Sequence, residues 1–144
     1  MALQEGVYVI ASVLSGGPVL DLENGNNPIA NIIGYHAHGG VNQQWRVTRL
    51  SLQDYSIQSV YGNTWITAPA DGSDQQLSTS RYDPVYNKSA RWRIVPANGG
   101  YAIYSVENPS KVFDVSGGAT KDLTPILLYG YHGGKNQVFT FKKV

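Results

Sequence analysis

From Gly6 to Val13 the residues alternate, with Tyr8 and Ile10 on one side and Val9 and Ala11 on the other. A period of two, in stretches rich in Val, Ile, Tyr and Thr, predicts strands. No segment carries an apolar stripe at helical spacing over the length of a helix. Turn-forming clusters separate the runs: Ser15-Gly-Gly-Pro18, Glu23-Asn-Gly-Asn-Asn-Pro28, Tyr61-Gly-Asn63, Ala70-Asp-Gly-Ser73, Ala97-Asn-Gly-Gly100 and Ser116-Gly-Gly118. Gly, Asn, Asp and Pro favour these bends, and the spacing between them leaves room for about twelve short strands.

The pattern recurs three times. Tyr8-Val-Ile10-Ala-Ser12-Val13, Tyr55-Ser-Ile57-Gln-Ser59-Val60 and Tyr101-Ala-Ile103-Tyr-Ser105-Val106 are copies of one motif, and Trp45, Trp92 and Phe139 are spaced at a matching interval of about 47 residues. Between these markers, Val19-Leu20-Asp21-Leu22, Trp65-Ile66-Thr67-Ala68 and Val112-Phe113-Asp114-Val115 sit at matching depths. Repeats of about 6–52, 53–98 and 99–144 follow. Three units cannot make a long capped solenoid, whereas closure about an axis removes the open sheet edges that invite aggregation. The expectation is an all-β β-trefoil with pseudo-threefold symmetry, in which Leu20, Ile66, Phe113, Trp45, Trp92 and Phe139 meet near the axis. Each such burial contributes about 1.5–3 kcal/mol.

A chain of 144 residues suits one domain, residues 1–144, better than two. With 42% hydrophobic and 15% charged residues it is not disordered, and a formal charge of +1 without clustering argues against nucleic acid or heparin as a partner. The absence of cysteine excludes disulfides and thiol catalysis and suits a reducing compartment. Glu5 stands where a secretory leader would need positive charge, and no apolar run reaches spanning length. The expectation is therefore a cytoplasmic protein that does not insert into membranes, with the Asn87-Lys88-Ser89 sequon unused and Asn108-Pro109-Ser110 blocked by its proline.

Catalytic motifs are missing: there is no Gly-x-Ser-x-Gly elbow, phosphate loop or His-Glu-x-x-His. Glycoside hydrolysis needs two facing carboxylates, whereas Asp21 and Asp114 belong to different repeats. His36-Ala-His38 has a spacing found in metal sites, but no third ligand stands nearby. The chain is read as a non-enzyme with no metal and no cofactor.

The segment Ile32-Ile-Gly-Tyr35, His38-Gly-Gly40 and Asn42-Gln43-Gln44-Trp45 contains Gln-x-Trp and resembles the signature of ricin-B-type lectins, and the resemblance extends over all three repeats. It is similar to the small cysteine-free ricin-B-like lectins of parasol and clouded-funnel mushrooms. That resemblance implies recognition of galactose or N-acetylgalactosamine, including GalNAc-GlcNAc or lactose-type disaccharides, in shallow pockets of which some are often lost. It also implies glycoprotein or glycolipid glycans as partners, and a role in agglutination or defence.

A neutral sugar offers hydroxyl pairs and one apolar face, so its site needs a fixed carboxylate or amide and a flat ring. In the first repeat Asp21, between Leu20 and Leu22, is expected to face outward and accept hydroxyl protons. Asn42 serves as a donor and acceptor, His38 as the plate, and Tyr35 and His36 as the far wall. Gly39 allows close backbone approach, Asn24 an edge contact, and the Gln43 amide ties the loop to the backbone. The third repeat repeats the set in Asp114, Tyr129, Tyr131, His132, Gly133, Asn136 and Gln137. The middle repeat lacks it: Thr67 replaces the aspartate, and Tyr86-Asn87-Lys88-Ser89-Ala90 replaces Gly-Gly-x-Asn-Gln.

Two alternatives stand beside this reading. Asp21 and Asp114 could fasten the turns that follow them, and the tyrosines could simply pack. A protease inhibitor acting through an exposed loop is the rival function for a trefoil. For a lectin, two or three hydrogen bonds of about 1 kcal/mol each and one stacking contact give monosaccharide affinity of about millimolar, so longer glycans adding contacts, or a homodimer presenting several sites, are expected to raise the effective strength.

Overall fold

The computed structural model describes residues 2–23 and 27–144, and among them it contains twelve strands. In the first repeat these are β1 (Gly6–Ser12), β2 (Val19–Leu22), β3 (Ile32–Tyr35) and β4 (Trp45–Arg49); the second has β5 (Asp54–Ser59), β6 (Trp65–Thr67), β7 (Ser78–Ser80) and β8 (Trp92–Ala97); the third has β9 (Gly100–Ser105), β10 (Lys111–Val115), β11 (Thr124–Gly130) and β12 (Phe139–Lys143). All pairings are antiparallel.

The first and last strands of each repeat close a ring. β1 pairs with β4, β4 with β5, β5 with β8, β8 with β9, β9 with β12, and β12 with β1 again, with Ile10 opposite Phe141 in the closing pair. The two middle strands form hairpins β2–β3, β6–β7 and β10–β11. These hairpins meet in a triangle: Thr124 pairs with Gly34, Asn31 bridges Ser78, and Gln76 bridges Leu127. A six-stranded barrel capped by three hairpins is a β-trefoil, as the repeat period led one to expect.

Each position of the recurring motif has a physical task. Ile10, Ile57 and Ile103 point into the barrel and are fully buried. Two residues on, the hydroxyls of Ser12, Ser59 and Ser105 accept the N–H groups of Leu14, Tyr61 and Asn108, turning the chain out of the barrel toward its hairpin. The anchors Trp45, Trp92 and Phe139 are also buried, and the Phe113 ring meets Trp92 edge-on at 4.7 Å and Phe139 at 6.2 Å. Trp45 Nε1 donates to Leu20 O and Trp92 Nε1 to Ile66 O, each at 3.0 Å, so the indole pins hairpin to barrel. Phe139 has no such donor. Replacing Trp45 by Phe is accordingly expected to lower the unfolding free energy by about 2–3 kcal/mol, from the lost bond and the space left behind. This is read as a lower urea midpoint at constant slope, and an unchanged midpoint would mean that the indole bond does not hold the hairpin.

Candidate functional site

Outside the barrel, the first repeat carries a hollow of about 390 Å³ lined by Asp21, Glu23, Ile33, Tyr35, His36, His38, Asn42 and Leu123. The third carries one of about 320 Å³ bordered by Asp114, Tyr129, His132 and Asn136, with Ser116, Gly117 and Leu127. The carboxylate of each comes from the second strand of its repeat, β2 or β10, the tyrosine from the third strand, β3 or β11, and the histidine and asparagine from the loop and 3-10 turn before the last strand, at Val41–Gln43 or Lys135–Gln137.

Asp21 does not stand out in solvent as its place between two core leucines suggested. All four residues of β2 are buried, and Asp21 is 3% exposed. The reason is that two amides roof the outer side of the strand. Asn42 Nδ2 donates to Asp21 Oδ1 at 3.2 Å and to Leu22 O at 3.2 Å; Gln43 Nε2 donates to Asp21 Oδ2 at 2.8 Å and to His36 O at 2.9 Å. Gln43 Oε1 in turn accepts the His38 N–H at 2.9 Å, so one buried side chain fixes the carboxylate and both ends of the histidine loop.

The third repeat reproduces this network. Asn136 Nδ2 donates to Asp114 Oδ1 and Val115 O, and Gln137 Nε2 to Asp114 Oδ2 and Gly130 O, while Gln137 Oε1 accepts from His132 and Gly133. The distances agree with the first repeat to within about 0.1 Å: 3.2 and 2.8 Å to the two carboxylate oxygens in both. The observed partners of both aspartates are these amide side chains, which sets them apart from aspartates that fasten a turn.

The imidazoles are oriented by the same loops. Gly40 N–H donates to His38 Nδ1 at 3.0 Å, so the neutral ring carries its proton on Nε2, which lies 3.7 Å from Asp21 Oδ2. His132 repeats both relations with Gly134 and Asp114, at 3.1 and 3.7 Å. Glycine is required here: a Cβ on Gly40 would lie 2.6 Å from His38 Cε1 and 2.7 Å from Asn42 Oδ1, and Gly39 has φ +79°.

Hydrogen-bond bookkeeping then defines what each hollow offers. Both Asn42 Nδ2 protons are spent inside the protein, so Asn42 presents only Oδ1, an acceptor, and not the donor–acceptor pair its residue type suggests. A carboxylate has about four lone-pair sites, of which the amides take two. The site therefore presents acceptors from Asp21 and Asn42, one N–H from His38, and the rings of Tyr35 and His36, stacked at 4.6 Å and 30°.

Two contributors come from outside the repeat. Asp122, on the loop before β11, accepts from His36 N–H and pairs with His36 Nδ1, both at 2.9 Å, and Leu123 lines the hollow with its backbone at φ +74° and its N–H on Gly34 O. Comparison of repeats in the sequence could not find them, because it aligns a repeat with its equivalents and is silent on which neighbour it touches. Asp74 of the second repeat instead pairs with Lys111, and Gly130 stands where the first repeat has His36. Two expected residues, Tyr131 and Gly133, fall elsewhere, and a third is not described. Tyr131 leans on Tyr104 and, with Gly133, faces a separate groove, because Tyr104 offers a ring to pack on; Asn24 lies outside the described residues. In the middle repeat Thr67 Oγ1 bonds to Trp65 O and Ser80 Oγ, and buried Ala90 replaces the glutamine, so no comparable network forms.

The family described as ricin-type beta-trefoil lectin domain-like matches residues 41–129. The chain belongs to this family. Solved structures similar to this ricin-type domain include the Rhizoctonia solani agglutinin, at 26% identity and TM-score 0.88 over 100% of this chain and 99% of that one. The Macrolepiota procera ricin B-like lectin in complex with lactose matches at 25% identity and TM-score 0.82, over 100% of both chains. The earthworm R-type lectin C-half in complex with GalNAc matches at 27% identity and TM-score 0.77, over 96% of this chain and 99% of that one. No curated protein matches the sequence. Fold, family and neighbours together make this domain a carbohydrate-binding one of lectin type.

Burial pushes the Asp21 and Asp114 carboxyls above the usual 3.8, against the lowering effect of Gln43 or Gln137, of the nearby histidine and of Asn42 or Asn136. The hydrogen bonds from His36 hold Asp122 below it. By linkage, Asp21 and Asp114 favour the fold most in acid, below 3.8, and lose that contribution as pH rises through their folded values; Asp122 favours it above 3.8 and loses that contribution as pH falls through its own. Carboxyl-carbon NMR titration is expected to place Asp21 and Asp114 above 3.8 and Asp122 below, and the reverse order would contradict burial as the dominant influence on Asp21 and Asp114.

Proposed function

We propose that this lectin-type domain binds glycans ending in galactose or N-acetylgalactosamine, including GalNAc-GlcNAc or lactose-type disaccharides, in the first and third hollows and not in the second. The observation that carries the proposal is the matched pair of pinned carboxylates, each fronting a hollow with an imidazole N–H and an amide oxygen beside it. Adjacent sugar hydroxyls donate to Asp21 and Asn42 and accept from His38, while the apolar sugar face lies on the Tyr35–His36 wall. The lactose and GalNAc complexes of the neighbours support this sugar class. Each carboxylate is held by protein amides as a fixed acceptor, which supports binding without turnover. Lack of cysteine supports work in the cytoplasm, and a homodimer would raise weak single-site affinity by avidity. Agglutination or defence is the biological role that fits such a molecule.

Galactose titration is expected to give a dissociation constant of about 1 mM. Asp21→Ala removes binding at the first hollow, and Asp114→Ala removes it at the third; full binding by both variants on a glycan array would exclude these sites. Acidification through the raised carboxyl pKa protonates the acceptor, so affinity should fall there, above the usual range for aspartate. Affinity rising in acid would contradict the role given to Asp21.

The rival reading, protease inhibition, has one observation in its favour: in the second repeat Tyr82, Val85 and Tyr86 are exposed on one loop. Micromolar inhibition of trypsin-like or papain-like proteases, with no retention on immobilised galactose, would favour it over the lectin.

A further inference from the structure

Tyr104 on β9 and Tyr131 on the loop after β11 pack with ring centres 5.4 Å apart and planes tilted by 35°. Between them and the end of β8 runs a groove of about 210 Å³, closed by Pro96, Asn98, Gly133 and Lys135. The trefoil does not require these tyrosines. Aligned on the motif tyrosines Tyr8, Tyr55 and Tyr101 for the one and on the anchors Trp45, Trp92 and Phe139 for the other, the two positions are Ala11 and Ala37 in the first repeat and Gln58 and Pro84 in the second. Both rings appear together, in the third repeat alone. Tyr131 is half-exposed, with its hydroxyl packed over Gly133, whose φ of +79° favours glycine.

The loop from Tyr131 to Gly134 separates this groove from the third hollow. Tyr129 and His132 face the hollow, whereas Tyr131 and Gly133 face the groove. The groove offers what a pyranose ring recognises, namely aromatic faces for its C–H side, with an amide and an ammonium group for its hydroxyls. We propose that the groove is an extended subsite for the inner residues of a neutral glycan whose terminal sugar sits against Asp114. This rests on the reading of the third hollow as a sugar site. The first repeat, with Ala11 and Ala37, then reads the terminal sugar alone, and the third reads the chain behind it.

The test is two-dimensional NMR of isotope-labelled protein titrated with galactose and with a linear tetrasaccharide ending in galactose. Galactose should move Gly134 and the Asn136 side chain but leave Tyr104 and Lys135 in place. The tetrasaccharide should move both sets and bind the third repeat about tenfold more tightly, the effect of one added stacking contact and one hydrogen bond. Tyr131→Ala and Tyr104→Leu should cut that gain to about threefold or less with galactose affinity unchanged. Equal affinity for both sugars, unmoved Tyr104 and Lys135, or a gain that survives both substitutions overturns the subsite. So does a change of sedimentation behaviour in Tyr131→Ala with no change in chain-length dependence, which would make the groove a contact between copies. If neither sugar moves Gly134 or Asn136, the hollow reading itself fails, and the groove with it.

Discussion

The buried amides of Gln43 and Gln137 hold each site together. Each donates to an aspartate oxygen and to a main-chain carbonyl and accepts a histidine-loop N–H, so strand, loop and 3-10 turn are locked by a single side chain. In a low-dielectric setting an amide with all its bonds made is rigid, and an amide missing one is costly. The carboxylate is thereby fixed before any ligand arrives. On the proposed reading, little of a glycan's binding energy would be lost to ordering the protein.

Rigidity has a cost in the same place. Burial disfavours the charge on Asp21 and Asp114, and the hydrogen bonds around them offset that penalty only in part. The middle repeat shows the other solution. Thr67 and Ala90 replace the ionisable group and its amide, and Trp92 keeps its indole bond to Ile66. Anchor and site are therefore separable: the barrel needs the aromatic in every repeat, and the hollow needs the polar set only where it works.

Threefold closure also makes the sites unequal. Because hairpins of different repeats meet at the axis, the first hollow gains Asp122 and Leu123 from the third repeat, whereas the third is lined by its own repeat and Asp74 of the second pairs with Lys111. The third repeat adds Tyr104 and Tyr131 beside its own hollow. Two copies of one network thus sit in different surroundings within a single small domain.

The sequence by itself determined the strand class, the threefold period, the core aromatics and the paired polar sets, because alternation and repetition are properties of the chain order alone. Tyr8, Ile10 and Ser12 repeat at Tyr55, Ile57 and Ser59 because every barrel strand must fill the same interior and leave it by the same turn. Only the tertiary structure decided that Asp21 is buried under amides, that both Asn42 protons are already spent, that Asp122 clamps His36 and that Tyr131 turns toward Tyr104. Each of these depends on which residues from distant parts of the chain arrive at one point in space. A repeat pattern states that segments are equivalent, but the closing of the barrel determines what each one faces.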